Sequence, residues 1–125
     1  MRVLLDTMAL IMAVESPRRL SKRARAVFAP RYAREVSALS LSEIAVKARR
    51  KDFEISRAQA EQALDELDVR VLPYTRAHAL ALFGLPWHHA DPFDRQILAQ
   101  ALAEGIPVVT ADEKFGLYEG VRVIW

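Results

Sequence analysis

Val3-Leu4-Leu5-Asp6-Thr7 decides the fold: three consecutive apolar residues end on an acid and a hydroxyl. A strand open to water on one face alternates apolar with polar residues, whereas a continuous apolar run suits a strand covered on both faces. Residues 8–14 continue at helical period, so Asp6 stands where a strand hands over to a helix. Residues 36–39, 69–72, 107–110 and 121–125 supply four more strand candidates. The intervening segments carry helices, broken by a loop at Ser16-Pro17-Arg18-Arg19 and by Gly84-Leu85-Pro86-Trp87. Ser21 opens a helix over 21–29 with Lys22, Arg23 and Arg25 near its exposed face, and Ser40-Leu41-Ser42-Glu43 spells a capping box for a helix running through Lys47 to Arg50. Ser56-Arg57-Ala58-Gln59 spells a second box for a helix through Asp68, and Thr75 caps another through Ala81. Strands alternating with helices specify an α/β fold with a mainly parallel sheet and right-handed crossovers.

With 125 residues, 52% of them hydrophobic and 27% charged, the chain is expected to form a single domain over residues 1–125. The net charge is only +2, but a pI near 9.2 leaves room for an acidic polymer such as RNA. The absence of cysteine excludes disulfides, thiolate metal sites and a cysteine nucleophile, and suits a reducing cytoplasm. Asp6 interrupts the opening apolar run and no small-residue cleavage site follows, so a secretory leader is not expected. No segment approaches the roughly 20 apolar residues of a membrane span. The four glycines are scattered, so no phosphate-cradling loop exists, and there is no G-x-S-x-G elbow.

The acids carry the chemical signal. In a parallel α/β fold a pocket forms beyond the carboxyl ends of the strands, and Asp6, Glu43, Asp94 and Asp112 all fall at that edge. Asp91-Pro92 reads as an N-cap and first helical position; at about 100° per residue Asp94 then shares a stripe with Ile97, Leu98 and Ala101, and faces inward. Each acid also has an ordinary structural account: Asp6 and Asp112 as caps, Glu43 as half of a capping box, Asp94 as a partner of the helix dipole. Glu43 fits its stripe least, lying away from Leu41, Ile44, Ala45 and Ala48. Gathered together, carboxylates about 4 Å apart repel by on the order of 4 kcal/mol at an effective dielectric near 20, which asks for a cation. An all-oxygen site prefers Mg²⁺ or Mn²⁺, ions suited to phosphodiester chemistry. His88 and His89, adjacent in a loop beside Pro86 and Trp87, are either ligands or proton carriers or, as adjacent histidines in such loops more often are, surface or packing residues, and His78 is assigned to packing. Two basic groups, Arg18, Arg19, Lys22, Arg23, Arg25 and then Lys47, Arg49, Arg50, Lys51, either follow an RNA backbone or form solvated helix faces. Trp87 and Phe93 either stack a base or pack.

Taken together, Leu4-Leu5-Asp6-Thr7, the stretch from Val36 to Ile44, Asp91-Pro92-Phe93-Asp94-Arg95 through Ala99-Gln100-Ala101, and Val109-Thr110-Ala111-Asp112-Glu113-Lys114-Phe115 resemble the PIN-domain family. More closely they resemble its VapC-type toxins from toxin–antitoxin pairs. The resemblance covers essentially the whole chain. It implies a PIN-like three-layer α/β/α fold with a mainly parallel sheet of four to five strands. It further implies a Mg²⁺- or Mn²⁺-dependent endoribonuclease, usually a homodimer silenced by a cognate antitoxin. The family's first acid maps to Asp6, its helix acid to Glu43, the acid heading the D-x-x-I-x-A helix to Asp94, and the last to Asp112. Asp91 then becomes a cap or an auxiliary. Asp6, Asp94 and Asp112 are the expected metal carboxylates, with Glu43 completing the site. Met8 departs from close relatives, which often carry histidine there. A catalytically silent RNA-binding module of the same fold is the alternative expectation; phosphotransfer domains fit worse, because the second acid that haloacid-dehalogenase-like phosphatases need falls at Met8.

Overall fold

The computed structural model describes residues 1–48 and 55–125. Among them are five strands, β1 (Arg2–Leu5), β2 (Ala33–Ser37), β3 (Val69–Leu72), β4 (Val108–Val109) and β5 (Val123–Ile124). They form one sheet in the order β3-β2-β1-β4-β5, parallel at every pairing. Six α-helices accompany them: α1 (Thr7–Glu15), α2 (Lys22–Ala26), α3 (Ala38–Lys47), α4 (Arg57–Glu66), α5 (Arg76–Ala81) and α6 (Pro92–Glu104).

The central strands are apolar without interruption because both faces are covered. Val3 and Leu5 pack with Leu10, Ile11, Ala24, Val36 and Ile44 on one side. Leu4, between them, points the other way and packs with Ile97, Leu98, Val108 and Phe115. The sheet therefore separates a core shared with α1, α2 and α3 from one built on α6, the three-layer arrangement expected.

Chain punctuation held where local chemistry was unambiguous. Asp91 caps α6, Pro92 is its first residue, and Gly105 closes it with φ 65. The Ser56–Gln59 capping box opens α4, and Thr75 caps α5. Other boundaries differ, and β4 and β5 are shorter than the apolar runs that announced them. Ser37, not Ser40, caps α3, accepting a hydrogen bond from the Leu39 N–H at 3.0 Å. Ser40 lies inside the helix, where its buried hydroxyl accepts from Thr7 Oγ1 at 2.9 Å and ties α3 to α1, so Ser40 and Glu43 form no capping box. The second strand accordingly covers Ala33–Ser37 and ends where residues 38 and 39 were expected to continue it. The helix expected over 21–29 keeps its Ser21 cap but spans only Lys22–Ala26, and α4 stops at Glu66 because Asp68 turns left-handed with φ 49. The proposed extension of α3 to Arg50 falls outside the described residues. No helix among the described residues is long and apolar enough to cross a membrane.

Candidate active site

Asp6 and Asp112 are held at the carboxyl ends of neighbouring strands. β1 pairs with β4 at Leu5 and Val109, and the Asp6 N–H donates to the Val109 carbonyl at 3.0 Å. Asp6 caps α1 by accepting from the Ala9 N–H at 2.7 Å through Oδ1. Its other oxygen accepts from Thr110 Oγ1 at 2.5 Å, while that same hydroxyl accepts from the Asp112 N–H at 3.0 Å. Thr110 thus bridges the two acids. Asp112 caps the following 3-10 turn through Oδ1, bonded by the Lys114 N–H at 2.9 Å. Capping and clustering are therefore one arrangement: the caps fix the carboxylates with lone pairs to spare.

Asp94 sits in the first turn of α6, partly shielded from solvent, with its N–H bound by the Asp91 cap at 3.0 Å. Glu43 lies on the inner side of α3 and is buried. Its Oε2 meets the Lys47 ammonium at 2.5 Å, and its Oε1 is buried with no hydrogen-bond partner among the described residues. The four carboxyls feel one another. Burial pushes Asp6 up to about 6, against two hydrogen bonds that favour its charge, and Asp112 and Glu43 add to the rise. Burial, then the charges of Asp91, Glu43 and Asp6, push Asp94 up to about 7. Two carboxyls pushed up by burial and by neighbouring acids, beside a buried glutamate oxygen without a partner among the described residues, fit a hard divalent cation with oxygen ligands.

The assignment of His89 to surface or packing needs correction. His89 is buried to 7% exposure, and its Nε2 lies 2.7 Å from Asp112 Oδ2 and 3.2 Å from Asp94 Oδ2. Among the described residues, His89, Asp94 and Asp112 bring one ligand atom each within 4.8 Å of one another. Arg95, which the sequence reading passed over, puts it there. Its buried guanidinium donates to the carbonyls of Pro86, His89 and Leu85 at 2.8, 3.2 and 3.1 Å, so the loop before α6 is strapped onto the helix. A usable signal was present: an arginine on an otherwise apolar helix face must find acceptors, and the adjoining loop supplies them. His88 stays exposed and stacks edge-on to Tyr118, as assigned. His78 is structural, its Nδ1 accepting from the Thr75 N–H at 3.0 Å in a helix cap. Asp91 is a cap. Trp87 is 79% exposed, with one ring face against the Arg95 guanidinium at 3.7 Å, and Phe93 is half-buried.

Of the basic groups, Arg18, Arg19, Lys22, Arg23 and Arg25 are exposed between α1 and the start of β2. Lys47 is committed to Glu43, and Arg49, Arg50 and Lys51 lie outside the described residues.

A wholly parallel sheet with carboxylates gathered at its carboxyl edge defines an α/β protein organised around an acidic pocket. Residues 3–120 match the family model of the PIN domain, and the chain belongs to the PIN-domain family. Among curated proteins no sequence relative matches. Solved structures similar to this chain include VapBC2 from Rickettsia felis bound to a promoter DNA fragment, with 17% identity, a TM-score of 0.71 and coverage of 98% of this chain and 97% of that one. DNA-bound VapBC from Salmonella typhimurium is 21% identical with a TM-score of 0.67, covering 98% and 96%. VapBC-5 from Mycobacterium tuberculosis is 22% identical with a TM-score of 0.65, covering 98% and 97%. At these identities the likeness establishes the fold.

Proposed function

We propose that this chain is a Mg²⁺- or Mn²⁺-dependent endoribonuclease, the VapC-type toxin of a toxin–antitoxin pair. One observation carries the reading: carboxyls from the cap of α1, from α3, from α6 and from the turn after β4 gather at the carboxyl edge of the sheet, where burial first, and the charge of neighbouring carboxyls second, push Asp6 up to about 6 and Asp94 up to about 7. Asp6, Asp94 and Asp112 would hold the ion, and Glu43 would complete the site or orient a water through its unpartnered Oε1. A divalent ion there supplies a water activated for in-line attack and neutralises charge gathering on the phosphate. No protein nucleophile is needed. Thr110 ties the Asp6 carboxylate to the Asp112 backbone, and the Lys114 N–H holds the Asp112 carboxylate, so the two acids meet the substrate already oriented. Trp87 offers its open ring face to an unpaired base, and the exposed arginines of 18–25, with Lys22, offer charge to the RNA backbone.

An antitoxin partner is supported by the similar structures, which are named as VapBC complexes. A homodimer is supported by the exposed apolar side chains of Leu80 and Phe83 along one flank, and a cytoplasmic location accompanies the toxin reading. The test is incubation of labelled structured RNAs with the purified protein in Mg²⁺ or Mn²⁺, beside EDTA and an Asp94→Asn control. Metal-dependent cuts lost in the variant support the nuclease. Tight binding without cleavage, indifferent to metal and to the substitution, would instead mark a silent RNA-binding module.

A further inference from the structure

His89 presents a choice between two roles that its position alone leaves open. Its Nε2 is close enough to Asp94 and Asp112 to join them as a metal ligand, or to act on them as a hydrogen-bond donor. The other ring nitrogen decides. The backbone N–H of Asp91 donates to Nδ1 at 3.1 Å, and a nitrogen that accepts a hydrogen bond carries no proton. The neutral ring must then carry its proton on Nε2, which faces the two carboxylates.

Everything around the ring holds that arrangement. The His89 N–H donates to Tyr118 Oη at 2.8 Å, and its carbonyl accepts from Arg95. Phe115 meets the imidazole edge-on with ring centroids 5.8 Å apart. The Asp91 amide is itself fixed, because Asp91 is the cap of α6. Ligation through Nε2 would move the proton to Nδ1, set N–H against N–H and leave the Asp91 amide without its acceptor.

We propose that His89 is a positioning residue of the acidic site and not a metal ligand: its Nε2–H donates to Asp112 Oδ2 at 2.7 Å and holds that carboxylate beside Asp94, whose Oδ2 lies 3.2 Å from the same nitrogen but is not aligned to accept from it. The proposal rests on the nuclease reading for its purpose and not for its geometry. Its chemical consequence is selectivity. With the imidazole lone pair turned away, the donor set stays all oxygen and keeps its preference for hard ions such as Mg²⁺, whereas an imidazole ligand would shift preference toward Zn²⁺ or Ni²⁺. Arg95, which straps the loop carrying His89 to the helix carrying Asp94, sets the distance between donor and acceptor.

Long-range ¹H–¹⁵N NMR of the ¹⁵N-labelled protein reads the tautomer directly, and with three histidines in the chain His89→Gln assigns the signal. The expected result is the Nε2–H tautomer in EDTA, retained when Mg²⁺ is added. A switch to the Nδ1–H tautomer on adding Mg²⁺ would overturn the proposal. Calorimetric titration with Mg²⁺ gives the second readout. His89→Ala is expected to weaken binding by about 10- to 100-fold, the usual effect of losing a group that orients ligands, while His89→Gln, which keeps an N–H at that reach, restores it to within a few fold. Equal losses in both variants would count against a donor role. Neither measurement uses RNA, so a protein that shows the Nε2–H tautomer yet cuts nothing defeats the nuclease reading and leaves the positioning role intact.

Discussion

Asp6→Asn removes a charge that the fold carries at a cost. Asp6 is 5% exposed and its carboxyl is pushed up to about 6 from 3.8, chiefly by burial. In the unfolded chain the group ionises from 3.8 upward, and in the folded chain only from about 6, so the native state binds the extra proton between these values. Stability is then fully present below pH 4, falls as pH rises, and above pH 7 is lower by about 3 kcal/mol on account of this group. Asparagine keeps an oxygen for the Ala9 N–H and remains a good helix cap. It loses the bond in which Thr110 donates to the second oxygen, a change of about 1 kcal/mol. The net expectation above pH 7 in EDTA is a gain of about 2 kcal/mol, or a rise in Tm of roughly 6–10 °C for a chain of this size. Near pH 3.5 the gain vanishes and a deficit of about 1 kcal/mol remains. Thermal melts followed by circular dichroism at both pH values decide the matter. A variant that melts below the wild type at pH 7.5, or that shows the same offset at both pH values, would refute the reasoning.

Asp94→Asn is expected to raise Tm in EDTA for the same reason and to abolish the stabilisation given by added Mn²⁺; a variant that keeps the full metal-induced shift would exclude Asp94 from the site. Trp87→Ala should weaken binding of unpaired RNA by about 5- to 150-fold, the range for one stacked base, with Trp87→Phe retaining most of it; fluorescence anisotropy with a short labelled oligonucleotide measures both. Gly105→Ala places a side chain at φ 65 with nothing within 4 Å to clash, so backbone strain alone should cost about 1 kcal/mol in urea melts while metal binding is unchanged.

The sequence made legible what local chemistry controls. Asp91-Pro92 and Gly105 bracket α6 because a cap, a proline and a left-handed glycine each have one sensible place at a helix end. β3 was found to the residue because Val69 to Leu72 is bounded by a turn and by Pro73. Ser40 was misplaced because two serines three residues apart, Ser37 and Ser40, both look like caps, and only the tertiary contact with Thr7 shows which one is used otherwise. Glu43 stood off its helical stripe in the sequence for the reason that makes it interesting: it points into the acidic pocket and not onto the apolar core. The helical wheel registered that exception and could not interpret it. His89 was hidden because its position depends on Arg95 folding a loop back over a helix, a contact between residues whose side chains no periodicity relates. The acids themselves could be placed at one edge of the sheet from topology alone, while their mutual effect on one another required the assembled structure.

If these carboxyls form one cation site, an arriving metal ion must expel the protons they hold. Near pH 6.5 Asp94, titrating at about 7, and Asp6, titrating at about 6, together hold about one proton. Titration calorimetry with Mn²⁺ in buffers of different ionisation enthalpy should show about one proton leaving as the ion binds. Asp6→Asn, Asp94→Asn and Asp112→Asn should each weaken that binding. Binding of Mn²⁺ that releases no proton and persists undiminished in all three variants would contradict the account.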